Sequence, residues 1–340
     1  MKTIRWGIIG VGRFGMIHAE TLQSIPGCEL AAICNRNPER LKAAAAGFSD
    51  VVATTDYRTL LNMPDLDVIS ITTHWQEHFE LARAALASGR HVFLEKPMAA
   101  SGEESSQLAA LASEAAGYLM VGHICRFDPR CSLARASIQA GQIGRIVSMH
   151  AKRNLPKGPR HLRLDKISPL MGDGVHDADL MMWFMQRMPS RVYGRTIRTG
   201  DYACPSLGWA MLEFDQDAVG VIETVWCLPD SVPTVIDARL EVVGTEGMLT
   251  IDCANTGLQV VTAEGPEMKD TAYWPSQHGH RVGALAAELA YFADCVRHHS
   301  APAVITPREA AQAVIVMEAA ENSASRGQPV DIAPMELSAN

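Results

Sequence analysis

Residues 4–25 are IRWGIIGVGRFGMIHAETLQSI, an apolar run, a glycine cluster and an amphipathic segment in succession. The run "IRWGIIG" predicts a buried strand, and "MIHAETLQSI" predicts a helix. Gly10, Gly12 and Gly15 between them form GxGxxG, a weak signal alone that gains weight between a strand and a helix. In a dinucleotide-binding turn these glycines allow a sharp bend, the approach of a pyrophosphate and close helix packing, respectively. The alternative is a glycine turn in an unrelated α/β protein.

Strand-like and helix-like stretches then alternate. The predicted strands are "CELAAICN", "DLDVISITT", "RHVFLEKP" and "YLMVGH", and the predicted helices are "QEHFELARAALASG" and "AASGEESSQLAALASEAAG", the latter with Ser101 as its N-cap. This alternation predicts a doubly wound parallel sheet of the α/β class. Because ligands of such sheets bind beyond the carboxyl ends of the strands, one rim is expected to carry Thr72, Thr73, Glu95, Lys96 and His123.

The end of the second predicted strand bears on the choice of cofactor. An acidic residue there would bond the adenosine ribose and repel a 2′-phosphate, but this chain has Asn35 and Arg36, with Arg40 a little further on. Arginine can pair with phosphate, so NAD and NADP both stay open with a slight preference for NADP. Arg36 and Arg40 could equally be solvated residues of a helix start. The expected cofactor contacts are Gly10, Gly12, Arg13, Phe14, Gly15, Asn35, Arg36, Arg40, Thr72, Thr73, His74, Glu95 and Lys96.

Length and composition narrow the class of protein. A chain of 340 residues favours two domains, and a formal charge of −8 without a Lys/Arg-rich run argues against a nucleic-acid partner. The eight cysteines are scattered without CxxC, which is typical of reduced thiols in a cytoplasmic protein. The N-terminus lacks a signal-peptide core, and no run of 18 apolar residues predicts a membrane span.

The sequence after residue 145 has a different organisation. Strand-like runs, including "RIVSMHAKRN", "WAMLEFD", "AVGVIETVWC", "DARLEVVG" and "GMLTIDC", follow one another with Gly, Pro, Asp and Asn turns between them. Consecutive strands separated by turns predict a sheet that is mainly antiparallel. Several of these runs are apolar on both faces, so the outer face of the sheet is expected to need a cover.

With "GIIGVGRFG", "RHVFLEKP" and "GVHDADLMMWF" in this order, the chain resembles the glucose–fructose oxidoreductase / inositol dehydrogenase / MocA family along nearly its whole length. The resemblance implies a Rossmann domain over residues 1–122. It also implies an α+β domain over residues 123–340, built on a large, mostly antiparallel sheet, with a final helix able to pack back on the first domain. It further implies a homodimer or homotetramer that forms through the C-terminal sheet.

The resemblance also suggests the chemistry. Hydride transfer needs a placed substrate carbon, a base for the hydroxyl proton and stabilisation of charge on the oxygen. In the family the lysine of Glu-Lys-Pro, here Lys96, reaches the reacting hydroxyl, and the matching histidine, His176, is the general acid/base. The expected reaction is an NAD(P)-dependent oxidation or reduction at a secondary alcohol or ketone of a sugar, inositol or related polyol, with Lys96 and His176 facing the same alcohol.

The chain departs from the family pattern at the third catalytic position. Many members carry an aspartate four residues before the histidine, where this chain has Gly172 followed by Asp173. One residue of α-helix rotates a side chain by about 100°, so Asp173 is not an automatic substitute. Either the turn is locally different, or Asp173 has another role, or only Lys96 and His176 act; Asp173 is retained as the third catalytic candidate.

Other readings stay open. Asp173, His176, Asp177 and Asp179 could be metal ligands, although ligands spread over two helical turns point in different directions, so no metal is expected. A non-catalytic NAD(P)-binding sensor is the main alternative function, and a metal-dependent lyase or hydrolase is a third. The expected substrate contacts are Lys96, Trp75, His123, Arg126, Arg153, Arg163, Asp173 and His176. Arg160 and His161 belong to the same basic loop as Arg163. The alternative for these basic residues is a solvated loop that binds no substrate.

Overall fold

A computed structural model of the chain describes residues 2–158, 164–215, 217–234 and 236–333. The chain divides into two compact units. Unit 1 consists of residues 1–128 and 272–311, and unit 2 of residues 129–271 and 312–340. The sequence predicted one boundary, after residue 122, whereas the chain passes from unit 2 back into unit 1 at residue 272 and leaves it again after residue 311.

Several of the helices begin at capping side chains, one of which the sequence predicted. Ser101 caps one of them as expected, since its hydroxyl accepts a hydrogen bond from the Glu104 amide at 3.1 Å. Asn37 caps another through the Arg40 amide at 3.0 Å. In the described part of the chain the helices are α1 (Arg13–Leu22), α2 (Pro38–Ala45), α3 (Tyr57–Leu61), α4 (His78–Ala87), α5 (Gly102–Glu114), α6 (Pro129–Gln139), α7 (Val175–Met185), α8 (Ala284–Arg297) and α9 (Pro307–Arg326).

Unit 1 is built on a parallel sheet of six strands with the order β3-β2-β1-β4-β5-β6. This is the doubly wound order that the alternation predicted, with the glycine turn after the central strand. The strands are β1 (Ile4–Ile9), β2 (Cys28–Cys34), β3 (Val52–Thr54), β4 (Val68–Ile71), β5 (His91–Glu95) and β6 (Leu119–Gly122).

A late segment of the chain completes the core of unit 1. Phe292 on α8 lies with its ring centroid 6.0 Å from that of Trp6 on β1 and 5.9 Å from that of Phe93 on β5. All three side chains are fully buried. Such tilted aromatic contacts bury large apolar areas, so α8 is part of this core although it is remote in sequence.

Unit 2 is built on a sheet of seven strands with the order β12-β11-β7-β10-β9-β8-β17. The β7–β10 pair is parallel and the other neighbouring strands are antiparallel, so the expected mostly antiparallel sheet is confirmed. The strands after β6 are β7 (Ile146–Pro156), β8 (Arg191–Ile197), β9 (Leu207–Phe214), β10 (Ala218–Leu228), β11 (Asp237–Gly244), β12 (Met248–Asp252), β13 (Gln259–Thr262), β14 (Gly265–Met268), β15 (Ser276–Gln277), β16 (His280–Arg281) and β17 (Val330–Asp331).

The two faces of this sheet differ in burial. On β9 and β10, Ala210, Leu212, Phe214 and Ile222 alternate with more exposed residues and are fully buried, on the face that also carries Trp226. On the opposite, outer face Tyr193 and several other large apolar side chains are exposed. None of the described helices is long and apolar enough to cross a membrane.

Close packing of helix on sheet in unit 2 depends on a glycine. A Cβ placed on Gly194 of β8 would lie 1.9 Å from the Ala320 carbonyl oxygen on α9, which is rigid backbone. Gly194→Ala is therefore expected to lower the free energy of unfolding by roughly 2 kcal/mol or more, because overpacking forces backbone shifts.

Urea titration followed by circular dichroism measures this change, with Gly247→Ala as the matched control. A Cβ on Gly247 would meet its nearest atoms at 3.5 Å, which is ordinary contact. Equal midpoints for the two variants would contradict the packing argument.

Candidate functional site

The glycine turn after β1 has the geometry that its three glycines predict. Gly10 has φ +103°, and a Cβ there would lie 2.9 Å from the Thr73 backbone nitrogen. A Cβ on Gly15 would lie 2.3 Å from the Gly10 carbonyl oxygen, so α1 packs directly on the turn. A Cβ on Gly12, by contrast, would meet no atom within 4 Å. The turn is tight at its two ends and open at Gly12, where the α1 amides begin, and this fits a dinucleotide phosphate.

The end of β4 holds the turn in place. The Thr72 hydroxyl donates to the Gly10 carbonyl oxygen at 2.9 Å, and the Thr72 amide donates to the Ile9 carbonyl oxygen at 2.9 Å. Thr73, His74 and Trp75 follow at the same rim, Trp75 at the start of a short 3₁₀ turn, Trp75–Glu77. Arg13 and Phe14 are the first residues of α1, and the Phe14 ring contacts that of Trp274 within unit 1. The carboxyl ends of β1 and β4 and the start of α1 therefore meet at the glycine turn.

The end of β2, where the sequence predicts contacts to the adenosine ribose, is polar. The Asn35 side-chain oxygen accepts from the Asn37 amide at 3.0 Å, which forms a turn into α2. The Arg36 side chain is exposed and forms an ion pair with Glu77, from the 3₁₀ turn after β4. Arg40 lies on the first turn of α2. Sequence reasoning named Asn35, Arg36 and Arg40 but not Glu77, since nothing in the sequence links Glu77 to the end of β2.

Lys96 follows the last residue of β5, and its peptide bond to Pro97 is cis. Glu95 lies 3.1 Å from Nε2 of the fully buried His18 on α1, measured at Oε1. On the other side of Lys96, His78 Nδ1 lies 2.8 Å from the Pro97 carbonyl oxygen. Burial lowers the pKa of His78, partly opposed by its hydrogen bond to Pro97. His18 and His78 thus contact the residues on either side of Lys96. The sequence did not predict the role of His18.

Two substrate candidates of unit 1 lie in its interior. His123 follows β6 and is fully buried. Arg126 is buried too, and its guanidinium donates to the Val304 carbonyl oxygen at 2.7 Å and to Glu309 at 2.8 Å. The Arg126 guanidinium thus forms an ion pair within unit 1. Substrate contact by His123 or Arg126 stays a prediction.

In unit 2 the segment before α7 has an unusual helical geometry. Residues Leu170–Gly174 form a π-helical turn, and α7 starts directly after it. A π turn accommodates one more residue than an α turn, so the direction of Asp173 differs from that in a regular α-helix. The structure thus has a locally different turn, one of the alternatives that the sequence left open.

Trp226 explains why residue 172 is a glycine. A Cβ on Gly172 would lie 2.6 Å from the Trp226 ring atom Cη2. The Trp226 indole Nε1 also donates to Asp173 Oδ2 at 2.8 Å. One buried tryptophan on β10 thus excludes a side chain at position 172 and orients the carboxylate of the next residue.

The other acidic residues of this segment have separate surroundings. Asp177 accepts two hydrogen bonds from Arg153, at 3.0 Å from Nε and 2.8 Å from Nη2, and both side chains are buried. Asp179 is fully buried, and His176 is buried as well. Arg153, a substrate candidate, is therefore neutralised by Asp177. Arg160, His161 and Arg163 lie outside the described residues.

Two models of one protein family match successive parts of the chain. Residues 4–123 match the model described as an oxidoreductase family with an NAD-binding Rossmann fold, GFO_IDH_MocA, and residues 132–250 match the GFO/IDH/MocA C-terminal domain. The chain is 28% identical to the uncharacterized oxidoreductase YrbE of Bacillus subtilis (strain 168) over 97% of each chain. It is 27% identical to the scyllo-inositol 2-dehydrogenase (NAD(+)) of the same organism, over 97% of this chain and 96% of the relative.

A solved structure with the same fold is the scyllo-inositol dehydrogenase from Lactobacillus casei with bound cofactor NAD(H) and scyllo-inositol. It superimposes with a TM-score of 0.82 at 20% identity and covers 97% of this chain and 99% of that chain. Both family domains are matched in order, and the glycine turn and parallel sheet of unit 1 agree with the first of them. The chain therefore belongs to the GFO/IDH/MocA family of oxidoreductases, whose N-terminal domain is an NAD-binding Rossmann fold.

Proposed function

We propose that this protein is an NAD(P)-dependent dehydrogenase or reductase that acts on a secondary alcohol or ketone of a sugar, inositol or related polyol. The observation that carries the proposal is the position of Lys96 at the end of β5, in the same parallel sheet and at the same rim as the glycine turn after β1. The inositol dehydrogenases among the relatives favour a cyclic polyol as substrate. A non-catalytic sensor would have no need of Lys96 and His176, and the chain retains both.

The proposed roles follow from the charge that alcohol oxidation develops. The nicotinamide, when bound, accepts or returns the hydride. The Lys96 ammonium binds the reacting hydroxyl and stabilises negative charge on its oxygen. The His176 imidazole takes the hydroxyl proton in oxidation and returns it in reduction, because an imidazole can both accept and donate a proton. Asp173, oriented by Trp226, is proposed to support the histidine three residues after it.

Replacement of the lysine tests these roles. Lys96→Met is expected to reduce kcat by about 10³-fold or more, because it removes both a charge and a hydrogen-bond donor from the reacting oxygen. Binding of NADH is expected to stay within about twofold, since phosphate binding depends on the glycine turn. Initial rates at 340 nm with NAD and a panel of inositols and sugars measure the first quantity, and NADH fluorescence titration measures the second.

Lys2→Met is the matched control, because Lys2 is exposed and its ammonium pairs with Asp67, which directly precedes β4 at the end of the sheet opposite to Lys96. An exposed pair of this kind contributes little to stability, so this variant should keep its rate. Near-normal turnover by Lys96→Met would contradict the proposed function.

We propose NAD as the preferred cofactor. Arg36, whose charge favoured NADP in the sequence, is paired with the Glu77 carboxylate. A 2′-phosphate at the end of β2 would have to compete with Glu77 for the guanidinium and would be repelled by that carboxylate. Two unit charges 4 Å apart in water interact by about 1 kcal/mol, which corresponds to roughly a fivefold change in affinity.

Glu77→Gln is therefore expected to strengthen NADPH binding about fivefold and to leave NADH binding nearly unchanged. Glu80→Gln is the matched control, since Glu80 is an exposed carboxylate on the next helix that pairs with Arg83. Fluorescence titration of both reduced cofactors measures the ratio. Wild-type protein that binds NADPH more tightly than NADH would contradict the assignment.

We further propose a homodimer or homotetramer assembled through the outer face of the unit 2 sheet. Tyr193, Met211, Val221 and His150 are paired from strand to strand and form one row across β8, β9, β10 and β7 on that face. Tyr193 and Met211 are exposed apolar side chains. Basic and acidic residues also alternate on the face, with Lys152 paired to Asp237 and Arg239 to Glu241. A face that carries both signs of charge around an apolar row can pair with a second copy of itself.

Met211→Glu is expected to shift the protein to monomer, because the new carboxylate would be buried in the interface without a partner. Size-exclusion chromatography with light scattering reads the mass directly. Val261→Glu, on an exposed position of β13, is the control that should leave the mass unchanged. A monomeric wild type would refute the proposed assembly.

A further inference from the structure

Lys96 lies between two residues that are each held by a buried histidine. Glu95, before it, is within hydrogen-bond distance of His18 on α1, and Pro97, after it, is within hydrogen-bond distance of His78 on α4. The two helices lie at different places in the sequence and approach the end of β5 separately. The lysine backbone is therefore fixed from both sides.

The surroundings of His18 define a complete set of hydrogen bonds. Its Nε2 lies 3.1 Å from Glu95 Oε1, and its Nδ1 lies 3.2 Å from the Ser70 hydroxyl on β4. A carboxylate only accepts, so Nε2 donates to Glu95, and in a neutral ring Nδ1 accepts from the Ser70 hydroxyl. His18 and Ser70 are fully buried, which excludes this Ser-His-Glu chain from acting as a hydrolytic site. The rings of Phe14 and Phe93 contact the imidazole at centroid distances of 4.9 Å and 5.6 Å.

Glu95 has little room to adopt another position. A Cβ on Gly122, at the end of β6, would lie 2.8 Å from Glu95 Oε1. The carboxylate thus fits between His18 and the bare backbone of β6. If the His18 contact is lost, the buried carboxylate loses a hydrogen-bond donor and must move to find another, which moves the end of β5 with it.

His78 makes the second attachment. Its Nδ1 donates to the Pro97 carbonyl oxygen at 2.8 Å, and its Nε2 lies 3.3 Å from the Thr73 carbonyl oxygen. A neutral ring has one N–H, which the shorter distance assigns to the Pro97 contact. His78 therefore attaches the segment after Lys96 to the first residue of α4.

We propose that His18 and His78 are positioning residues that hold Lys96 at its working place, His18 through the Glu95 carboxylate and His78 through the Pro97 carbonyl. The inference rests on the proposed catalytic role of Lys96. A displacement of about 1 Å in a group that acts on the substrate can cost about 100-fold in rate, so two buried contacts on its neighbours are enough to matter. Because α1 starts at the glycine turn, His18 also joins the helix that carries the phosphate-binding amides to the strand that carries the lysine.

The test compares His18→Leu, His18→Gln and His78→Leu with wild type. His18→Leu and His78→Leu are expected to lower kcat with NAD and myo-inositol or scyllo-inositol by about 10- to 100-fold, with KM and the NADH dissociation constant within about threefold. His18→Gln retains a side-chain N–H for Glu95 and is expected to recover most of the rate. Thr21→Val is the control, because Thr21 is fully buried on the same helix and its hydroxyl bonds only within α1, to the Ile17 carbonyl oxygen.

Hydrogen exchange read by mass spectrometry gives a readout that needs no substrate. Faster amide exchange of the peptide over residues 94–99 is expected in both leucine variants, with unchanged exchange there in Thr21→Val and His18→Gln. Ser70→Ala, which leaves the His18 ring in place, provides a milder variant if His18→Leu does not fold, and it is expected to show the same pattern at smaller amplitude.

The outcomes separate this inference from the proposed function. If Lys96→Met keeps a near-normal turnover rate, the proposed function itself is contradicted. Loss of turnover in Lys96→Met together with unchanged exchange at residues 94–99 and unchanged kcat in the histidine variants overturns the positioning role alone. A fall in rate that appears equally in Thr21→Val, or that His18→Gln does not recover, also overturns it, since both would indicate general destabilisation of α1.

Discussion

The packing of the first helix against the glycine turn is the constraint on which the rest of unit 1 depends. A Cβ on Gly15 would lie 2.3 Å from the Gly10 carbonyl oxygen, and that same oxygen accepts the Thr72 hydroxyl. Helix, turn and the end of β4 therefore meet around one atom, with no room for a side chain. This contact aims the first amides of α1 at the open space beside Gly12, and it sets the direction in which α1 carries His18 towards β5.

Helix α1 consequently has two uses. Its N-terminus begins at the open position Gly12, and His18, near the middle of its buried face, lies within hydrogen-bond distance of Glu95. Phe14 contacts the His18 ring between these points. The proposed positioning role uses this arrangement, because one helix would then link the proposed phosphate site to the segment that carries the lysine.

In unit 2, the acidic residues Asp173 and Asp177 have different hydrogen-bond partners. Arg153 neutralises Asp177 in a buried, doubly hydrogen-bonded pair, where a partner is needed because an unpaired buried charge is costly. Trp226 engages Asp173. The tryptophan also occupies the space next to Gly172, so one side chain leaves no room for a Cβ at position 172 and orients the carboxylate of Asp173.

Local patterns in the sequence were sufficient for the strands β1, β2, β4 to β7 and β9 to β12, for the helices α1, α4 and α5, and for the Ser101 cap and the glycine turn, because each depends on residues close together in the chain. The contacts that define the site in detail join distant residues: His18 and Glu95 are 77 positions apart, and Asp173 and Trp226 are 53 apart. Glu77 beside Arg36, and Arg126 turned inward to Glu309, likewise required the folded chain. Short-range spacing fixes which element forms, whereas the partner of each buried charge depends on which elements the fold brings together.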